Sequence, residues 1–135
     1  MSTPPYGQAD TTFQAAGGEA GVRRLVDDFY DIMEHDPRYQ AIWSWHPEDR
    51  AASRDKLARF LCGWMGGPRL YQEKYGPISI PGVHRHLRVT DAEVAQWLGC
   101  MSQAIARQGY PTALADYLLA QLAVPAEMIR RMANP

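Results

Sequence analysis

Histidine is the residue type whose positions in this sequence most suggest chemistry. The sequence contains four histidines: His35, His46, His84 and His86. His35 is predicted at a helix C-terminus, where the helix dipole favours a cation, so a structural role suffices for it. His84 and His86 form an HxH pair in "GVHRHLRVTDAEVAQWL". In an extended segment both rings point to the same side and can chelate zinc or nickel weakly. The spacing alone leaves two interpretations open, a surface histidine pair and a histidine that ligates a metal.

Local motifs for several common sites are missing from the sequence. There is no CxxC or HExxH spacing, no glycine-rich phosphate loop and no serine–histidine–acid motif. A structural zinc ion usually takes four ligands, often cysteines, but neither Cys62 nor Cys100 has a local partner. Both cysteines fall within helical patterns, and we interpret them as buried free thiols in a reducing cytoplasm.

Charge and hydropathy exclude two classes of partner. The formal net charge is −1, which gives no basic surface for nucleic acid or for an anionic membrane. No apolar run approaches the roughly 18 residues that cross a bilayer. The N-terminal "MSTPPYGQAD" lacks the basic and apolar regions of a signal peptide, so we expect a cytoplasmic protein. The length of 135 residues suits one domain, and we predict a flexible lead-in over 1–12 and a single domain over 13–135.

Apolar residues recur every three or four positions in four segments, which predicts an all-α protein with four main helices. The first helix is predicted over about residues 20–35 and ends before Pro37, because proline disfavours helix at the residue preceding it. The second begins near Pro47, a residue that suits the first turn of a helix. It stops at Gly66-Gly67-Pro68.

The other two predicted helices follow a long connector. From Arg69 to Val89 the sequence has no strong period, so we expect mostly loop with a turn or two of helix, and loops of this length are often functional. The third helix begins at Thr90, where a capping box would let the Glu93 amide donate to the Thr90 hydroxyl. The fourth is expected to be kinked or divided at Pro125.

Two aromatic residues with polar tips lie on the apolar faces of different predicted helices. Tyr30 follows Phe29 on the first helix, and Trp97 lies on the third, where its ring is expected to be largely buried. Each must expose its polar atom or find a partner inside the protein. Core packing accounts for either residue alone. Together with a histidine in a long connector, the two residues indicate a pocket lined by hydrogen-bond donors.

At these residues the sequence resembles the bacterial truncated haemoglobins of group II, along nearly its whole length. The resemblance rests on "AAGGEAGVRRLVDDFYDIM", on "HPEDRAASRDKLARFLCGWMGGPRLYQEKYG", and on a histidine followed thirteen residues later by a tryptophan in "HRHLRVTDAEVAQWLGCM". It implies a truncated globin fold, which is a two-over-two helical sandwich around haem b.

The resemblance also implies roles for individual residues. His84 is the implied proximal iron ligand, since Leu87 and Val89 follow it three and five positions later, whereas counting from His86 does not fit. Val83 stands where the family usually has an arginine that contacts a propionate, and Arg85, His86 or Arg88 could substitute for it. The distal ligand pocket is implied to contain five residues: Tyr30, His46, Ser53, Leu57 and Trp97. The implied cofactor-binding residues are Phe60, Lys56, Tyr71, Trp64 and Leu87.

The function implied by the resemblance is binding of dioxygen and related diatomic ligands at haem iron, where the axial ligand and distal donors control reactivity. Carbon monoxide, nitric oxide, sulfide and peroxide are further candidate ligands. Oxygen transport, sensing, and redox work on nitric oxide or peroxide with a reductase are all compatible with it, as are a monomer and a homodimer. The alternative is a small helical interaction module without haem that carries a surface histidine pair. A Soret band in the purified protein distinguishes the two.

Overall fold

The computed structural model describes residues 6–45, 50–77 and 89–133. Within these ranges the chain forms helices and no strand, which confirms the all-α prediction. None of these helices is long and apolar enough to cross a membrane. In chain order the α-helices are α1 (Thr11–Ala15), α2 (Gly18–His35), α3 (Gln40–Trp43), α4 (Arg50–Trp64), α5 (Leu70–Tyr75), α6 (Asp91–Arg107) and α7 (Thr112–Ala133), with a short 3₁₀ helix at Pro37–Tyr39.

Helix α2 is the centre of the fold. Its apolar face follows the predicted helical spacing and is buried along its whole length, from Val22 to Met33. This face packs against α4 and against α6, and α6 in turn packs against α7. The main helices therefore form two pairs, α2 with α4 and α6 with α7, and α2 joins the pairs. The two cysteines, on α4 and α6, are buried free thiols as predicted.

The end of α4 explains the predicted stop at two glycines. Gly66 has a φ of +90°, and a Cβ added there would lie 1.9 Å from the carbonyl oxygen of Ala9. At Gly67 an added Cβ would lie 2.6 Å from the ring of Phe13. Only glycine allows both the left-handed turn and this close approach of α1 to the end of α4.

The N-terminal segment contacts the helical body. The domain boundary predicted between residues 12 and 13 falls inside α1. The ring of Tyr6 lies 5.3 Å from the ring of Tyr117 on α7, and the Gly7 amide donates to the hydroxyl of buried Thr12 at 2.9 Å. Residues 1–5 lie outside the described ranges, and their flexibility stays a prediction.

Two local predictions are corrected. The Thr90 hydroxyl does not cap the backbone of α6; it donates instead to the carboxylate of Glu93. The ionised carboxylate is a strong acceptor for the hydroxyl proton. Helix α7 runs through Pro125 without ending, so Pro125 does not divide it, and the alternative of a kink there stays a prediction. The short helix α5 agrees with the expected turn or two in the connector.

The partly buried carboxylate of Asp55 connects three helices. Asp55 of α4 accepts hydrogen bonds from Arg23 of α2 at 3.1 Å, Arg59 of α4 at 2.9 Å, and Lys74 and Tyr75 of α5 at 2.9 and 2.6 Å. The hydrogen bonds from Tyr75 and then Lys74 hold the pKa of the Asp55 carboxyl well below its ordinary value. The ionised carboxylate is therefore favoured by folding, and it connects α5 to the α2–α4 pair.

We expect Asp55→Asn to lower the free energy of unfolding at about pH 7 by about 1.5–3 kcal/mol, the range for hydrogen bonds to charged groups. The pKa of Asp55 is lower in the folded than in the unfolded protein, where it is about 3.9. The stabilisation is therefore complete above that value and is lost as the pH falls through the folded-state pKa. Urea unfolding of both proteins at several pH values measures the difference.

The control is Asp116→Asn, at an exposed position of α7. It should change the free energy of unfolding by less than about 0.5 kcal/mol at every pH. A difference between Asp55→Asn and the unsubstituted protein that grows as the pH falls would contradict the assignment of Asp55.

Candidate functional site

Helix α4 has two apolar faces. One face is buried in the core and contains Ala58, Leu61, Cys62 and Met65. The second face contains large apolar side chains three or four positions apart that are only half-buried, although they pack against the core: Leu57, Phe60 and Trp64. Ser53, one turn before Leu57, is also partly buried. A half-covered stripe of this size on a small protein is typical of a binding surface for an apolar group.

Tyr30 is buried inside the helix packing. Only 5% of its surface is exposed, so its phenol has been removed from water on the face of α2 that meets α4 and α6. Burial raises the pKa of the phenol, and the positive charge of Arg54 opposes that rise. The hydroxyl is therefore protonated at any physiological pH and can donate a hydrogen bond.

Phe29 connects Tyr30 and Trp97, which are on different helices. The Phe29 ring lies 5.2 Å from the Tyr30 ring and 5.2 Å from the Trp97 ring, both in edge-to-face geometry. The Cys100 thiol donates to the Phe29 carbonyl oxygen at 3.2 Å, which ties α2 to α6 at this level. Trp97 is partly buried and packs against the core.

Arg54 is a residue of the site that the sequence analysis missed. Its guanidinium lies 5.6 Å from the centre of the Tyr30 ring. It also forms ion pairs with Asp27 at 3.0 Å and Asp31 at 2.8 Å. The spacing holds a signal for this arrangement, since Asp27 and Asp31 are one helical turn apart and Tyr30 lies between them. The partner on α4 could not be chosen from the sequence, because the contact spans 23 to 27 residues.

Lys56 and Tyr71, which the family resemblance implies as cofactor-binding residues, meet around a residue that the sequence analysis also missed. The Lys56 ammonium lies 5.4 Å from the ring of Tyr75, and the Tyr71 ring lies 5.1 Å from the same ring. The hydroxyl of Tyr75 donates to Asp55 at 2.6 Å. The structure thus brings an exposed ammonium and a half-buried phenol together at the edge of α4 and α5.

Four of the residues singled out in the sequence lie outside the described residues: His46, His84, His86 and Leu87. The structure therefore places the distal helix residues but not the implied proximal ligand. Within residues 6–45, 50–77 and 89–133, no three His, Cys, Asp or Glu side chains are grouped so that they could hold a metal ion.

The placed residues fit haem in shape and chemistry. The half-covered stripe on α4 suits a flat apolar macrocycle, and Trp97 and Leu98 of α6 are further partly buried apolar side chains that pack against the core. Tyr30 adds a buried hydrogen-bond donor within the core against which these side chains pack. Lys56 and Tyr71 offer a cation and a hydroxyl for acidic substituents at one edge.

Known proteins are similar to this chain in sequence and in the arrangement of their helices. Residues 11–131 match the bacterial-like globin family. The chain is 30% identical over 128 residues to the group 2 truncated hemoglobin YjbI of Bacillus subtilis (strain 168), covering 95% of this chain and 92% of that protein. The group II 2-on-2 hemoglobin of Agrobacterium tumefaciens has a TM-score of 0.84 and 28% identity, with 96% of each chain covered. A truncated oxygen-avid haemoglobin from Bacillus subtilis has a TM-score of 0.77 and 28% identity over 87% of this chain and 97% of that one.

The match covers nearly the whole chain, and the structural similarity extends over both helix pairs. It confirms the resemblance and the truncated globin fold that the sequence predicts. The chain therefore belongs to the bacterial-like globin family, within the truncated haemoglobins of group II.

Proposed function

We propose that this globin holds haem b, with His84 as the proximal ligand, and binds dioxygen and related diatomic gases. Haem supplies the iron that binds the gas, and the chain supplies the surroundings. The observation that carries the proposal is the neutral phenol of Tyr30, buried in the core against which the half-covered apolar stripe of α4 packs. An apolar pocket with one or two oriented donors is suited to a small ligand that carries partial negative charge.

Tyr30 and Trp97 are the proposed distal donors. A hydrogen bond to a charged acceptor contributes about 1.5–3 kcal/mol. Two such donors would slow ligand release by about a hundredfold to more than ten-thousandfold if their effects add. Half-buried Leu57 would keep water away from the ligand, and Ser53 and His46 are proposed to complete the pocket. The similar Bacillus subtilis protein is described as oxygen-avid, which agrees with slow release.

Slow release favours chemistry on the held ligand over delivery of oxygen. We therefore propose redox work, such as oxidation of nitric oxide or handling of peroxide, in the cytoplasm and with a reductase that returns the iron to its ferrous state. Lys56 and Tyr71 are proposed to contact the propionates, and Phe60, Trp64 and Leu87 the apolar part of the ring. These assignments rest on the resemblance and on the half-buried stripe of α4.

His84→Ala tests the cofactor and its ligand together. The unsubstituted protein should show a Soret band and a pyridine haemochrome spectrum of haem b. His84→Ala should lose the haem or retain a site that added imidazole restores, because the iron has lost its axial nitrogen. His86→Ala is the matched control two residues away and should keep the normal spectrum. A normal spectrum in the first variant and loss in the second would reverse the assignment.

Tyr30→Phe tests the first distal donor. The substitution removes the hydroxyl and keeps the ring that packs against Phe29. We expect dioxygen dissociation to be at least several-fold faster, because a hydrogen bond to a charged acceptor is worth about 1.5–3 kcal/mol. Stopped-flow displacement by carbon monoxide measures the rate. An unchanged rate would return Tyr30 to a packing role.

Trp97 is tested by two substitutions with different expected results. Trp97→Phe removes the indole N–H but keeps an aromatic ring against Phe29, so dioxygen should dissociate faster with little change in stability. Trp97→Ala should also destabilise the protein, by less than the about 3–5 kcal/mol of a fully buried aromatic, because Trp97 is half-buried. If Trp97→Phe leaves ligand kinetics unchanged and Trp97→Ala only lowers the melting temperature, Trp97 serves packing alone.

A further inference from the structure

The side chain of Arg54 crosses from α4 to α2 directly at Tyr30. Its two terminal nitrogens reach different carboxylates, Asp27 at 3.0 Å and Asp31 at 2.8 Å, and one also donates to the Asp27 carbonyl at 3.2 Å. Asp27 and Asp31 are one turn apart on α2, and Tyr30 lies between them in sequence. The guanidinium that reaches both carboxylates also lies 5.6 Å from the centre of the Tyr30 ring.

We propose that Arg54 is a positioning residue for ligand binding, which holds the Tyr30 ring in place and strengthens the hydrogen bond that its hydroxyl donates. The inference rests on the proposed role of Tyr30 as a distal donor. A cation within about 6 Å of an aromatic centre is attracted to the ring. Its positive charge also draws electron density from the phenol, so the hydroxyl becomes a better donor.

The charges around Arg54 keep the guanidinium in place. Its side chain is 26% exposed, while those of Asp27 and Asp31 are 60% and 52% exposed. The carboxylates are thus more strongly solvated than the cation, and water screens their opposing effect on Tyr30. Desolvation on its own lowers the pKa of Arg54, but the bonds to Asp31 and Asp27 more than offset it and raise that pKa. The same positive charge counteracts the rise that burial causes in the pKa of Tyr30.

Stability alone does not account for this arrangement. Ion pairs with carboxylates this exposed typically contribute only about 0–1 kcal/mol. The planar fork of arginine suits two acceptors at once, whereas lysine presents a single compact charge. The two-pronged guanidinium of Arg54 therefore holds its charge at the ring of Tyr30, the proposed donor.

The test is a double-mutant cycle with Arg54→Met and Tyr30→Phe in the haem-loaded protein. Arg54→Met should speed dioxygen dissociation by about two- to tenfold, the range that cation–π energies imply. It should also raise the C–O stretching frequency of the ferrous carbon monoxide form, because a weaker donor withdraws less charge toward the ligand. In the Tyr30→Phe background, Arg54→Met should change both readouts far less.

Arg38→Met is the matched control. Arg38 pairs with Asp36 and lies 5.3 Å from the centre of the Tyr39 ring, so it repeats the chemistry at a tyrosine outside the site. It should leave both readouts unchanged. If Arg54→Met fails to fold, Arg54→Lys serves in its place and should give a smaller change in the same direction. If Arg54→Lys matches the unsubstituted protein in both readouts, the proposed role of the ion pairs with Asp27 and Asp31 is overturned.

The outcomes separate this inference from the proposed function. If Tyr30→Phe itself changes neither readout, the distal role of Tyr30 fails, and the role of Arg54 fails with it. If Tyr30→Phe changes both readouts but Arg54→Met changes neither, only the Arg54 inference fails. An equal effect of Arg54→Met with and without the Tyr30 hydroxyl would also overturn it, because the effect would not pass through that hydroxyl.

Discussion

A phenol buried where three helices meet is the constraint on which the centre of this protein depends. Tyr30 lies on the face of α2 that packs against α4 and α6, and only 5% of it is exposed. A buried hydroxyl must have a hydrogen-bond partner, since an unsatisfied one costs about 1–3 kcal/mol. The helices around Tyr30 therefore cannot close into a purely apolar core. The neighbouring residues combine rigid aromatic packing through Phe29 with one cation, Arg54, above the ring.

The two apolar faces of α4 differ in how far the polypeptide covers them. One face completes the core against α2, whereas Leu57, Phe60 and Trp64 remain half-covered by the polypeptide. Leaving apolar surface exposed to water costs roughly 25 cal/mol of free energy per Å². A flat apolar cofactor would cover it and complete the packing between the helix pairs. The proposed cofactor surface is therefore an apolar packing surface that the polypeptide alone covers only in part.

How much of this follows from the sequence depends on the range of each interaction. The helical period of α2 and the glycine stop after α4 could be predicted, because both depend on neighbouring residues. The contact that makes Gly66 necessary comes from Ala9, far earlier in the chain, and the sequence does not show it. Thr90 is a local exception: its hydroxyl donates to the side chain of Glu93, three residues later, and does not accept from the predicted backbone amide.

The candidate site divides along the same line. Tyr30 and Trp97 could be predicted, because a polar-tipped aromatic residue on an apolar helix face is unusual in itself. Arg54 could not, since nothing local separates it from the other arginines of α4. Tyr75 was missed for a similar reason: its importance lies in its contacts with Asp55 and Lys56, 20 and 19 residues away. Residues that act through a contact across helices carry no local signal of their role.

Two groups of ion pairs connect α2 and α4, and each lies next to residues of the candidate site. Arg23 and Asp55 connect these helices where α5 joins them, beside the tyrosine that contacts Lys56. Arg54 connects them at Tyr30, through carboxylates more than half exposed. Pairs this exposed contribute little to stability wherever they lie on a surface. Their effect on an adjacent phenol or ammonium, in contrast, depends on distance and falls off within a few ångströms in solvent. A fold that needs little from the ion pairs of Arg54 for stability can therefore use the position of that guanidinium to set the electrostatics of the proposed binding site.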